Sequence, residues 1–85
     1  MPYIPKTNRE KLTPKIESIL EEIKELNVGE LNFIISSIIW KIFDRKPSYT
    51  IANNLIGCLE CVKQEFIRRR LNGYEDEKIN ENGDI

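Results

Sequence analysis

The chain contains stretches in which apolar residues recur every three or four positions, separated by short polar stretches with proline or glycine. The longest patterned stretch covers residues 48–72. Pro47 precedes it, Ser48 is a suitable N-cap, and Asn72-Gly73 is a typical helix stop. The pattern therefore predicts a helix over 48–72, about 36 Å long, around which the rest of the chain is arranged.

The two faces of this predicted helix differ, as a step of about 100° per residue shows. The apolar face, called the apolar seam below, consists of Ile51, Leu55, Cys58, Leu59, Val62 and Phe66, and Ala52 and Ile56 widen it. The opposite face, called the polar arc below, consists of Asn53, Gly57, Glu60, Gln64 and Arg68. The apolar seam is typical of a core face.

Gly57 lies inside the predicted helix, where glycine costs about 1 kcal/mol relative to alanine. Close approach of a second backbone, such as that of another protomer, would explain it, and so would close approach of a ligand. The alternative is a tolerated surface glycine.

Two further helices are predicted before the long one. The first covers 14–26: Thr13-Pro14 is a strong helix start, apolar residues recur from Ile16 to Leu26, and Asn27-Val28-Gly29 ends it. The second covers 30–44 and is apolar around most of its circumference. Its many β-branched residues would suit a strand, but strict alternation is absent. A helix apolar on most sides is buried on more than one side, which indicates packing between chains.

The two ends of the chain carry different signals. Pro2 and Pro5 favour an extended N-terminal arm over 1–13, either docked on a groove or frayed. Residues 73–85 have the composition of a disordered acidic tail, with a turn signal at Asn82-Gly83. The predicted fold is therefore a single all-α domain over 1–85, with three helices, a long third helix and a homo-oligomeric assembly.

Composition excludes several classes of function. The net charge is −1 and no histidine is present, so neither a general nucleic-acid footprint nor an ordinary zinc site is indicated. The longest apolar run, Ile38-Ile39-Trp40, is too short for a membrane span, and the N-terminus lacks the apolar region of a secretory signal. We therefore expect a cytoplasmic protein without a cofactor. No motif for catalysis is visible, so an enzyme is not expected.

Cys58 and Cys61 form a C-x-x-C in the middle of the predicted long helix. A redox motif of that spacing would stand at a helix N-terminus after a strand. We therefore interpret both residues as reduced structural cysteines.

Three consecutive arginines, Arg68, Arg69 and Arg70, are the most suggestive chemistry in the chain. The guanidinium group matches phosphate and carboxylate groups in shape and charge. The alternative is structural: the arginines stabilise the helix C-terminus and pair with the acids at 75–77.

The sequence resembles an uncharacterised family of short phage and bacterial proteins that carries a domain-of-unknown-function label. The resemblance rests on the MPYIP start, the Glu30-Leu31-Asn32 triplet, the run Gly57-Cys58-Leu59-Glu60-Cys61, and the closing YEDEKINENGD. It covers nearly the whole chain, and its motif positions include Asn53, Gly57, Glu60 and Arg68. The resemblance implies no established activity.

Two functions remain as hypotheses. By analogy with small helical phage proteins, the chain would be a non-catalytic binding protein that sequesters an anionic, nucleotide-derived defence signal. Its predicted site, between protomers, consists of Asn53, Gly57, Glu60, Arg68, Arg69 and Tyr74. The alternative is a protein–protein interaction module that inhibits or adapts a host or phage protein.

Overall fold

The computed structural model describes residues 4–83, and predictions that concern residues 1–3 and 84–85 lie outside this range. The all-α prediction is confirmed: three helices follow one another, and the last is 34 residues long. Helix α1 is Lys6–Glu22, α2 is Val28–Arg45, and the long helix consists of α3 (Tyr49–Phe66), a π-turn (Ile67–Leu71) and α4 (Asn72–Asn82). The chain divides into two compact units, Met1–Trp40 and Lys41–Ile85, which are described separately.

Helix α1 begins eight residues earlier than the sequence indicated, so the prediction of an extended arm is wrong for residues 6–13. Pro5, with φ −57° and ψ 150°, is the N-cap, and its carbonyl accepts from the amides of Asn8 (3.0 Å) and Arg9 (3.2 Å). Thr13 does not cap a helix, because its hydroxyl donates to the Arg9 carbonyl at 2.7 Å. Pro14 therefore lies inside α1, where it cannot supply the usual backbone donor.

The end of α1 and the start of α2 also differ from the prediction. Helix α1 ends at Glu22 and not at residue 26, and the amide of Ile23 donates to the Ile19 carbonyl at 3.0 Å. Asn27 begins the next helix instead of ending the first. Its Oδ1 accepts from the Glu30 amide at 2.8 Å, and its Nδ2 donates to Glu30 Oε1 at 2.6 Å. This reciprocal pair resembles a capping box, which explains why α2 starts there.

Helix α2 extends over the predicted segment 30–44 and a little beyond it, so helix prevails over strand despite the β-branched residues. Within the described part of the first unit, α1 and α2 do not pack against each other, and no residue is buried. Large apolar side chains therefore stay in solvent; Phe33 is 69% exposed and Trp40 65%.

Helix α3 begins where predicted. Ser48 is extended (φ −163°, ψ 161°), and its hydroxyl oxygen accepts from the Ile51 amide at 3.0 Å. The predicted stop at Asn72-Gly73 is wrong, because the helix continues to Asn82, so residues 73–82 are helical rather than a tail. The actual stop is the second Asn-Gly pair: Gly83 has φ +81°, and its amide donates to the Ile79 carbonyl at 2.8 Å.

The same two-residue signal thus occurs twice, and the residues that follow it decide the outcome. Good helix formers, including Glu75, Glu77 and Lys78, follow Gly73. Gly73 keeps a negative φ, and a Cβ placed on it would meet no atom within 4 Å. The first Asn-Gly pair is therefore an interior helical position that costs stability.

A π-turn joins α3 to α4 over Ile67–Leu71. The amide of Asn72 donates to the carbonyl of Ile67, five residues earlier instead of four. Such a turn accommodates one extra residue without breaking the helix. Nothing in the sequence indicated it.

Exchanging each glycine for alanine tests this assignment of the helix end. Gly73→Ala should raise the unfolding free energy by about 0.5–1 kcal/mol, because alanine is the better interior residue. Gly83→Ala should lower it by about 1 kcal/mol, because alanine is strained at positive φ. Urea unfolding followed by circular dichroism at 222 nm measures both. If Gly73→Ala lowered the unfolding free energy, the helix would end at Gly73 and the assignment would be wrong.

Candidate binding surface on the long helix

The polar arc extends along the long helix and does not converge on one point. Asn53 and Arg68 are fifteen residues apart, which corresponds to about 22 Å along the axis. Tyr74 lies beyond the π-turn, about 32 Å from Asn53 by the same rise. These separations exceed the reach of one small ligand. A single chain therefore does not assemble the six predicted site residues, and the site as predicted requires more than one protomer.

Glu60 interacts with its own helix neighbours. Its Oε1 accepts from Gln64 Nε2 at 3.0 Å and lies 3.8 Å from Lys63 Nζ. Gly57, one turn earlier, leaves an open surface, since a Cβ placed there would meet no atom within 4 Å. Nothing in the described part of the fold therefore requires a glycine at position 57.

Arg68 and Arg69 are the two predicted site residues that the structure brings together. Arg68 Nη2 lies 3.8 Å from Glu65 Oε2, and Arg69 Nε lies 3.7 Å from the same oxygen. These are i,i+3 and i,i+4 pairs, a spacing that brings side chains together on a helix. Arg68 and Arg69 thus both pair with Glu65, a partner that the structural alternative for the arginines did not name.

Glu65 is the residue that sequence reasoning missed. Its side chain is 20% exposed, whereas those of Arg68 and Arg69 are 67% and 60% exposed. The Oε2 atom is shielded from solvent and accepts no hydrogen bond in the described structure. Glu65, Phe66, Arg69 and Arg70 line an open depression at the π-turn. The Glu-x-x-Arg-Arg spacing was visible in the sequence and would have identified the cluster.

Tyr74 belongs to a separate cluster on α4. The Lys78 Nζ lies 5.5 Å from the centre of the Tyr74 ring, within the range of a cation–π contact, and 3.2 Å from Glu81 Oε2. Tyr74 is 57% exposed, so its ring remains available to another molecule.

Residues 4–83 show no sign of a metal site or of a membrane-spanning helix. In that range no group of histidine, cysteine or acidic residues is arranged to hold a metal ion. Cys58 and Cys61 are free thiols, the first exposed and the second half-buried. None of the helices described is long and apolar enough to cross a membrane.

The chain belongs to a family of uncharacterised proteins, described as domain of unknown function (DUF6899), whose sequence model matches residues 1–85. No curated protein matches the chain, and no solved structure does. The family assignment agrees with the resemblance seen in the sequence and brings no activity with it.

A double-mutant cycle measures how strongly Glu65 holds the arginines. Replacing Glu65 with glutamine and Arg68 with alanine, singly and together, should give a coupling of only about 0.5 kcal/mol, because the arginine is largely in solvent. The coupling should shrink in high salt. Glu60→Gln with Arg68→Ala is the matched control pair and should show no coupling. A Glu65–Arg68 coupling that is absent, or unchanged by salt, would contradict the ion pair.

Proposed function

We propose that the protein is a non-catalytic protein-interaction module. Its apolar helix faces bind other protein chains, and the first of these partners are further copies of the same chain. The observation that carries this proposal is the exposure of large apolar side chains along α2 and α3.

The long helix gives the clearest argument. A single helix has no interior, so the apolar seam can be covered only by another element. Leu59, Val62 and Phe66 are 40%, 55% and 60% exposed. Full burial of such a side chain contributes about 1.5–3 kcal/mol. Several such residues on one face provide a strong driving force for association.

Helix α2 supports the same conclusion. Phe33 and Trp40 are mostly in solvent, and Leu31, Ile35 and Ile38 are 45%, 43% and 50% exposed. Aromatic residues, tryptophan above all, are enriched among those that dominate the energy of protein interfaces. A helix that is apolar on several sides suits an assembly in which it contacts more than one neighbour.

Light scattering coupled to size exclusion tests self-assembly. The expected mass is at least twice the chain mass of 10.0 kDa, and the 222 nm ellipticity should fall on dilution as the helices lose their partners. Val62→Glu on the apolar seam should shift the protein toward smaller species, whereas Gln64→Glu on the polar arc should not. A well-folded 10.0 kDa monomer at tens of micromolar would contradict the proposal.

A second candidate function is sequestration of a phosphate-bearing, nucleotide-derived ligand. The protein would then act in the cytoplasm as a phage-type inhibitor of host defence signalling. The π-turn favours it, because π-turns occur frequently at functional sites and this one carries three arginines. Arg68 and Arg69 both lie close to the Glu65 carboxylate. A bound anion would compete with this carboxylate for the two guanidinium groups. Asn53, Gly57, Glu60 and Tyr74 would then come from neighbouring protomers.

Calorimetry against a panel of cyclic and linear nucleotides tests the second candidate. Arg68→Ala should weaken binding by roughly ten- to a hundredfold, because a hydrogen bond to a charged group contributes about 1.5–3 kcal/mol. Arg9→Ala on α1 is the matched control and should bind as the wild type does. If no nucleotide binds, or if a folded Arg68→Ala retains full affinity, this candidate is wrong.

A further inference from the structure

The π-turn changes which residues of α4 follow the apolar seam of α3. In an uninterrupted α-helix, Leu71 would be about 140° from Phe66 around the axis, and Tyr74 about 80°. The turn accommodates one extra residue, because the amide of Asn72 reaches back to Ile67. The effective spacings therefore become four and seven residues, which place Leu71 about 40° and Tyr74 about 20° from Phe66.

The same shift places an aromatic side chain on the seam instead of a glycine. Without the π-turn, the direction of Leu55 would continue onto Gly73. With it, Tyr74 aligns with Leu55 at an effective spacing of eighteen residues, which is five whole turns. The π-turn thus extends one continuous apolar surface, called the extended seam below, which consists of Ile51, Leu55, Leu59, Val62, Phe66, Leu71 and Tyr74.

We infer that the extended seam binds the same seam of a second copy of this chain, with the two long helices antiparallel and a two-fold axis between Glu60 and Cys61. This inference rests on the proposed self-assembly and specifies its geometry. In this register two residues lie opposite each other when their numbers add to 121. Leu55 then faces Phe66, and Leu59 faces Val62, so these four large side chains meet apolar partners at the centre of the pair.

Charge favours the antiparallel orientation. In a parallel pair, the arginines at 68–70 would face each other, as would the acids at 75–77, and like charges at such positions repel. In the antiparallel register, Glu75 and Asp76 lie just beyond the N-terminus of α3 of the second copy, whose first turn contains no acidic residue. The turn that precedes this N-terminus carries the basic residues Arg45 and Lys46. Acidic groups at a helix N-terminus are stabilising.

Spin labels at two lysines beside the seam distinguish the orientations. In a Cys58→Ala, Cys61→Ala background, Lys63→Cys and Lys78→Cys are labelled separately, and electron paramagnetic resonance measures the distance between protomers. With a rise of about 1.5 Å per residue, the antiparallel register separates the labels along the axis by about 8 Å at position 63 and about 52 Å at position 78.

Each outcome has one meaning. A short distance at 63 and a long one at 78 support the inference. Similar distances at the two positions, or no dipolar coupling in a sample whose mass shows an oligomer, overturn the antiparallel seam while self-assembly stands. A monomer mass without coupling contradicts the proposed function as well.

Removing the extra residue tests the role of the π-turn. Deletion of Arg70 should restore a regular α-helix and turn Tyr74 away from the seam. It should weaken the dimer by about a hundredfold or more, because each of the two protomers then loses the burial of a large side chain. Arg70→Ala keeps the chain length and should leave the dimer intact. Ultracentrifugation measures both variants, and circular dichroism verifies their helix content. Equal dimer stability of the two variants would show that the π-turn does not align the seam.

Discussion

An α-helix satisfies its own backbone but cannot bury its own side chains, and this constraint governs the whole chain. The 34-residue helix carries an apolar seam along one side, and no described residue of its unit is buried. The energy that orders such a helix must come from packing, because propensity alone leaves helices marginal in water. The helices are therefore defined locally, by Pro5, Asn27, Ser48 and Gly83 at their ends, whereas their stability depends on what covers them.

The predictions from sequence succeeded where one local signal decided the structure. Ser48 caps α3 as expected, and the helical periodicity of 30–44 outweighed its β-branched residues. They failed where the chain does not use the strongest local signal. Thr13-Pro14 resembles a helix start, but α1 begins at Lys6, after a proline that was expected to lie in an extended arm. Asn72-Gly73 and Asn82-Gly83 both resemble stops, and the chain uses the second, because the choice depends on helix formers further along the sequence.

The candidate site was predictable only in part, for a related reason. Arg68 and Arg69 do lie together, and Glu65, four residues or fewer away, holds both. Asn53, Gly57 and Glu60 share a face with Arg68 on a helical wheel, but a wheel omits the rise along the axis, which spreads them over about 22 Å. The π-turn adds a further shift that no regular periodicity contains. The shared helix face therefore indicated a binding surface on one chain. A second chain would have to pack beside this surface to form a pocket.

Amide hydrogen exchange over a dilution series tests most directly whether a second chain covers the long helix. Amides of Ile51–Phe66 should exchange slowly at high protein concentration and progressively faster on dilution, because protection there depends on association. Amides of α4 beyond Tyr74, outside the extended seam, should change less. Strong protection of Ile51–Phe66 that does not depend on concentration, in a protein of monomer mass, would contradict the account.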